Sequence, residues 1–353
     1  MADSKLRILV TGGAGYVGSI LVRKLLKEEY RVVCADILRA GGESLLDIWG
    51  HSNFTFVKCD ITNYNSIDRI IDSNDFFAII HLAAIVGDPA CQMEPELAKK
   101  VNYDASVHLL EKAMEREIPR FVFASTCSNY GKMKNSMEYV DENSPLAPVS
   151  LYAELKVKIE DLILKQIDKR DSFCPTSLRF ATIYGISPRM RFDLTVNEFT
   201  KEIAKGRELL VFGEQFWRPY CHVSDFAGAI LTVLASPKEK VAYNVFNVGD
   251  TSENYTKKMI VEELLRQMPE ARVKYVQKNE DPRDYRVNFS KIRNELGFQI
   301  SKRVPDGIKE VMEIIKSGII QDPEDQRYYN IPHKTQSQSI ESPVPLSKTT
   351  RAH

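Results

Sequence analysis

The sequence predicts an α/β fold, a doubly wound parallel sheet joined to a smaller mixed α/β lobe. Three observations predict it. Short continuous apolar runs recur through the first half, amphipathic helical stretches separate them, and the residues with chemical potential fall just after the runs. Continuous apolar runs read as strands buried on both faces, with helices as the cover. Ligands of such sheets bind beyond the carboxyl ends of the strands, which makes those positions the ones to read for function.

Taken in order, Arg7–Val10 is the first run and ends at a glycine cluster, after which Val17, Ile20, Leu21 and Leu25 repeat at helical spacing. Arg31–Ala35 is the second run, closed by Asp36. Phe54–Val57 leads to Asp60, and Phe77–Ile80 leads to His81-Leu82-Ala83-Ala84. A helical stretch over Glu96–Glu117 precedes Phe121–Ala124. Ser150 then opens a helix whose Leu151, Leu155, Ile159, Leu162 and Ile163 form one stripe. Residues 187–218 show no clean period. Tyr243–Val248 reads as a strand returning to the main sheet, and 253–268 and 304–316 read as helices of the second lobe. The chain thus divides into a sheet domain over 1–186, to which 219–250 return, a substrate lobe over 187–330, and a polar tail over 331–353 expected to be disordered.

Composition narrows the function. Lys+Arg and Asp+Glu both number 48, so no basic footprint points to nucleic acid or an anionic membrane. No apolar stretch reaches membrane-spanning length, and Met1–Lys5 lacks the start of a secretory signal. The six cysteines (Cys34, Cys59, Cys91, Cys127, Cys174, Cys221) include no C-x-x-C, and the six histidines no H-E-x-x-H. A reduced, cytoplasmic chain with neither disulfides nor a metal site is expected.

Thr11-Gly12-Gly13-Ala14-Gly15-Tyr16-Val17-Gly18 holds both G-x-G-x-x-G and T-G-x-x-G-x-x-G between the first strand and helix. Glycines there permit a tight turn and let backbone approach a pyrophosphate at the helix N-terminus. Asp36 closes the second run, where a carboxylate accepts the ribose hydroxyls of a dinucleotide. Its charge would repel a 2′-phosphate and favours NAD over NADP, although Arg39 nearby leaves NADP open.

Tyr152 and Lys156 stand at i and i+4 and share a helix face. Lowering a phenol from ~10 to ~7 needs roughly 4 kcal/mol. One cation about 4 Å away supplies about that at an effective dielectric near 20, so Lys156, helped by an oxidised nicotinamide, is expected to make Tyr152 an acid/base. Tyr130 and Lys134 repeat the spacing in a segment that reads as a loop. The hydroxyl cluster Ser125-Thr126-Cys127-Ser128 after the fifth run offers a partner for a reacting carbinol.

With these elements in place, residues 6–320 resemble the extended short-chain dehydrogenase/reductases, specifically their nucleotide-sugar epimerase/dehydratase group. The glycine loop, Asp36, Asp60-Ile61, His81–Ala84, Asn102, Ser125-Thr126 before Tyr130-Gly131, Tyr152 and Lys156, Leu178-Arg179 before Tyr184-Gly185, and Arg218–Asp225 fall in the family's order. The resemblance implies a Rossmann-type domain in which Gly12, Gly15 and Gly18 hold the pyrophosphate of NAD, with Tyr16 and Val17 in the same loop. It implies Asp36 on the adenosine ribose, Asp60 and Ile61 at the adenine, Leu82, Ala83 and Ala84 lining the cofactor, and Asn102 orienting that loop. Tyr152 would be the acid/base, Lys156 would grip the nicotinamide ribose, and Thr126 would be the hydroxyl partner. Arg218 would clamp the substrate diphosphate, with Arg191, Arg283 and Arg189 as further candidates for that anion.

Three departures bear on the reaction. Cys127-Ser128 follows Thr126 where the 4,6-dehydratases of the family carry Asp-Glu. Ser128 stands where 3,5-epimerising relatives carry a cysteine, with Cys127 one place off. Thr182 replaces the family's usual asparagine. The implied activity is hydride abstraction and return at sugar C4, a 4-epimerase. A C4 dehydrogenase or 4-ketoreductase with exchangeable cofactor, and a non-catalytic NAD sensor, are the other readings. A homodimer built on the helices of Glu96–Glu117 and Leu151 onward is implied as well.

Overall fold

The computed structural model describes residues 5–133, 138–166, 169–277 and 283–332; Lys134 and the tail from His333 lie outside them. The strands are β1 (Arg7–Thr11), β2 (Arg31–Asp36), β3 (Phe54–Lys58), β4 (Ala78–His81), β5 (Arg120–Thr126), β6 (Cys174–Phe180), β7 (Thr182–Tyr184), β8 (Leu209–Phe212), β9 (Trp217–His222), β10 (Asn244–Val248), β11 (Asn254–Thr256) and β12 (Val273–Val276). The helices are α1 (Tyr16–Lys27), α2 (Tyr64–Asp72), α3 (Asp88–Met93), α4 (Pro95–Lys99), α5 (Ala105–Glu115), α6 (Leu151–Asp161), α7 (Thr195–Ala204), α8 (Val223–Ala235), α9 (Lys238–Val241), α10 (Lys257–Gln267), α11 (Ser290–Leu296) and α12 (Val304–Lys316).

Seven strands form one sheet in the order β10-β6-β5-β4-β1-β2-β3, and every pairing in it is parallel. The order 3-2-1-4-5-6 is that of dinucleotide-binding sheets, and it reverses between β1 and β4. Side chains alternate across β1 as a two-faced strand requires. Ile8 and Val10 enter an apolar cluster with Leu21 and Leu25 of α1 and Ile230 of α8. Leu9 enters another, with Ile67 of α2, Leu109 of α5 and Ile159 of α6. The sheet is therefore covered on both sides.

The chain leaves this sheet after β6 and returns at β10. Between and beyond lie a three-stranded sheet, β11-β9-β7, and the parallel pair β12-β8. A separate core of Tyr184, Val196, Phe199, Leu209, Tyr220, Ile260, Leu264 and Ile308 holds these pieces to α7, α10 and α12.

Two expectations need correction. The helix expected over 253–268 starts later: Asn254–Thr256 pair with Trp217–Pro219 as β11, and Thr256 caps α10 by accepting the Met259 amide at 3.2 Å. The stretch 187–218 contains α7, whose buried face includes Asn197, Thr200 and Lys201. Val196, Phe199 and Ile203 do stand at helical spacing, but three apolar positions interleaved with buried polar ones give only a short period within the mixed stretch. Among the described residues no helix is long and apolar enough to cross a membrane, and no cluster of His, Cys, Asp and Glu could hold a metal ion.

Candidate active site

The glycine loop sits at the reversal point of the sheet. Gly12 adopts φ +75°, and a Cβ there would come within 2.7 Å of the Ala83 amide nitrogen. A Cβ on Gly18 would lie 2.2 Å from the Gly12 carbonyl oxygen, so both positions are glycine for packing. Gly15 differs: its Cβ would meet only the Gly12 oxygen, at 3.2 Å, which leaves its open side for a ligand. Asp36 accepts the amides of Ala14 at 3.0 Å and Leu38 at 2.8 Å, pinning the loop to the end of β2. Burial raises its carboxyl above the ordinary value against these bonds. Arg39 pairs with Glu94, so the cation that left NADP open already has a counter-charge. These residues fit a non-phosphorylated dinucleotide.

The loop after β4 is fixed from behind. Asn102, fully buried in a wide turn between α4 and α5, accepts the Ile85 amide at 2.8 Å and donates to its carbonyl at 2.9 Å. His81 bridges Thr11 at 2.7 Å and Ser106 at 2.8 Å, and burial pushes it down to about 3, so it is neutral. Leu82, Ala83 and Ala84 stay partly exposed in front of this support, where a cofactor could lie. Asp60 is exposed and folds onto Thr62, while Ile61 is buried beside it. Tyr16 and Val17 begin α1; Tyr16 is buried, and its hydroxyl donates to the Gly185 carbonyl and accepts from Asn197 at 3.0 Å.

Helix α6 is capped by Ser150, whose hydroxyl oxygen accepts the Ala153 amide at 3.3 Å and donates to Asp88 at 2.7 Å. This start turns Tyr152 and Lys156 toward the end of β5. Tyr152 is half-buried and makes no hydrogen bond to a described residue, leaving its hydroxyl for a ligand. Lys156 donates to the Ala124 carbonyl at 2.8 Å, two residues before Thr126, with its ammonium 5.9 Å from the centre of the Tyr152 ring. Thr126 accepts the Ser128 amide at 3.1 Å and heads the turn Cys127–Tyr130.

Lys156 is not among the strongest influences on the Tyr152 phenol here, its ammonium standing 5.9 Å from the ring centre. Burial dominates and pushes Tyr152 well above the ordinary tyrosine range, reinforced by Cys91 and Asp88; the opposing cation is Arg191. Burial also pulls Lys156 down to about 8. A shared helix face did not bring the ammonium onto the phenol oxygen, because Lys156 is committed to the Ala124 carbonyl.

Below this pair lies a buried network that the sequence reading did not assemble. Glu160 accepts Ser125, Asn129 at 2.6 Å, and both Nε and Nη2 of Arg179 at 2.9 and 2.7 Å. Arg179 also donates to the Tyr130 hydroxyl at 2.9 Å, which donates to Asn247 at 2.8 Å. Tyr130 is thus structural. Cys127 is buried, its thiol pushed far up by burial and bonded to the Arg179 carbonyl, which suits packing and not catalysis. Glu160 follows Tyr152 and Lys156 at i+8 and i+4, and that shared face is the signal that could have found it.

The arginines fall on two flanks. Arg218 lies 5.4 Å over the Tyr285 ring and donates to the Trp217 carbonyl, and Arg283 pairs with Asp88 at 2.8 Å. Both hold the buried phenols of Tyr220 and Tyr285 below where burial alone would put them. Arg191 forms a two-point pair with Asp193 and acts electrostatically on Tyr152 and Tyr16.

Comparison with known proteins places this geometry. A family model described as the NAD dependent epimerase/dehydratase family matches residues 8–249. A dTDP-glucose 4,6-dehydratase of Streptomyces niveus is 30% identical over 321 residues, 87% of this chain and 92% of that protein. A UDP-glucuronate 4-epimerase of Thermodesulfobacterium geofontis is 27% identical over 322 residues, 88% and 96% of the two chains. The Bacillus cereus UDP-glucuronic acid 4-epimerase, solved with UDP-glucuronic acid and NAD, superposes with a TM-score of 0.77 at 25% identity, covering 88% of this chain and 99% of that one.

Proposed function

Because this chain belongs to the NAD-dependent epimerase/dehydratase family and is an enzyme of the extended short-chain dehydrogenase/reductase type, we propose that it is a nucleotide-sugar 4-epimerase. The observation that carries the reading is the Tyr152 hydroxyl, which has no protein partner among the described residues and stands one turn before a buried lysine and beside the end of β5. Thr126 is followed by Cys127-Ser128, not by the Asp-Glu pair of the dehydratases, which favours epimerisation over loss of water.

In this reading the glycine loop and Asp36 hold NAD, and Leu82, Ala83 and Ala84 line it. The cofactor supplies the hydride acceptor and a positive ring that favours phenolate. Tyr152 takes the proton of the sugar C4 hydroxyl, and Thr126 donates a hydrogen bond to the oxygen as it becomes a carbonyl. Lys156, anchored on Ala124, orients the cofactor ribose and adds positive charge near the phenol. Arg218, with Arg283 as a second candidate, binds the diphosphate that tethers the sugar while its 4-keto form turns over, whereas Arg191 is already engaged by Asp193. As the hydride is returned to the opposite face of C4, Tyr152 gives the proton back to the C4 oxygen.

The test mixes purified protein with NAD and a panel of UDP-, GDP-, CDP- and dTDP-sugars, follows reduced-nicotinamide absorbance, and determines C4 configuration in each product. Conversion to the C4 epimer without accumulating NADH supports the reading. Stoichiometric NADH with a 4-keto product overturns it in favour of the dehydrogenase. Bound NAD with no product from any sugar overturns it in favour of a sensor. We further propose a cytoplasmic homodimer packed through α5 and α6, and a monomer mass in solution would refute the dimer. Residues 1–186 with 219–250 are proposed as the cofactor domain and 187–330 as the substrate lobe.

A further inference from the structure

Past α12 the chain runs back across the second lobe and lies on the loop 185–193. The Phe192 amide donates to the Tyr328 carbonyl at 3.0 Å, and the two rings meet edge-on at 5.6 Å. Tyr329 is buried and accepts Lys201 at 2.8 Å while donating to Glu324 at 3.0 Å. The Asn330 amide donates to Asp193 at 3.2 Å, and its side-chain oxygen accepts Arg189 at 2.9 Å. On its other side the same loop covers the first turn of α1. Ser187 donates to the Tyr16 carbonyl at 2.7 Å, and Met190, Phe192 and Tyr329 share one apolar cluster with Tyr16. The order is therefore glycine loop, arginine loop, C-terminal strap.

The two arginines of this loop are not equivalent. Arg191 is neutralised by Asp193 through two hydrogen bonds. Arg189 has a neutral amide oxygen as its partner, and among the described residues no carboxylate lies within ion-pair distance of it. Burial and the Arg191 charge push it down to about 10, and it acts electrostatically on both Tyr16 and Asp36. A half-buried guanidinium short of negative charge, beside the N-terminus of α1, is suited to a phosphate.

We propose that Arg189, positioned by Asn330 of the C-terminal strap, is a cofactor phosphate contact that reaches the dinucleotide from the second lobe and holds it against exchange. This rests on the NAD-dependent reading above and deepens it, since a retained cofactor is what separates an epimerase from a dehydrogenase. Asn330 is a positioning residue: it fixes the guanidinium without adding charge.

The experiment measures NAD affinity by calorimetry and NAD release by dilution for the parent chain, Arg189→Ala and Asn330→Asp, with UDP binding and melting temperature alongside. Asn330→Asp keeps the hydrogen bond and supplies a competing carboxylate. Both variants are expected to weaken NAD at least tenfold and speed its release, with UDP affinity changed less than twofold. Asn330→Asp is expected to melt no lower than the parent, so a misfolded Arg189→Ala would not spoil the test. NAD affinity within twofold of the parent in Asn330→Asp overturns the proposal. C4 epimer formed by the parent with NAD affinity unchanged in the variants would sink the subsite and leave the epimerase. Weakened NAD with no epimer from any sugar would do the reverse.

Discussion

Glu160→Ala should be among the most damaging single changes outside the reacting groups. Glu160 and Arg179 are 1% and 4% exposed, and the carboxylate receives four hydrogen bonds from Ser125, Asn129 and Arg179. Removing one partner of a buried ion pair leaves the other charge desolvated and costs about 3–5 kcal/mol. At about 2.1 cal/mol/K per residue over the roughly 320 described residues, the unfolding entropy is about 0.7 kcal/mol/K, so the midpoint should fall by about 4–7 °C. The double variant Glu160→Ala/Arg179→Met removes both charges and should recover most of that loss, which a double-mutant cycle by scanning calorimetry would read. Ser125 loses its anchor next to Thr126, so turnover should fall in the single variant beyond what unfolding explains. A midpoint drop below about 1 °C, or strictly additive single effects, would refute the coupled network.

Four further outcomes are expected. Tyr152→Phe should lower C4 turnover by roughly 10²–10⁴-fold while NAD binding, read by titration, persists. Lys156 carries its charge only below about pH 8, so turnover should decline above that pH in a rate profile. His81 and His222 are held neutral at about 3 and 4, against ~6.5 unfolded, so stability should fall as pH drops below 6.5 in denaturation midpoints. Gly12→Ala combines a left-handed φ with a 2.7 Å approach to Ala83, and should abolish NAD binding in an affinity measurement.

Much of the fold was legible because the main-sheet strands are buried on both faces and announce themselves as apolar runs. β1 to β5 fall within a residue or two of those runs, with β5 extending two residues past its own. The second lobe hid its strands for physical reasons. β9 places Arg218 and Pro219 in the middle of a three-stranded sheet, and β7 and β11 have only three residues each, too short for a period. At the site, the glycine loop and the Tyr152 helix could be read from spacing, since spacing is what positions them. The Lys156–Ala124 bond could not, because a carbonyl acceptor carries no residue identity. Arg39 looked like a second cofactor contact until its partner Glu94, distant in sequence, came into view.

The crossing from β6 out through the second lobe and back to β10 has a consequence for synthesis. β10 is the outermost strand beside β6, yet it lies roughly 70 residues downstream. At about 5–20 residues per second, the translating ribosome leaves the outer rim of β6 uncapped for roughly 4–14 seconds. That rim, Cys174–Phe180, is an unpaired row of amide and carbonyl groups in a mostly buried segment, the kind of template on which neighbouring nascent chains pair wrongly. Chaperone demand during production should therefore peak in this interval, and slowing translation between codons 181 and 248 should raise the insoluble fraction more than slowing it anywhere upstream.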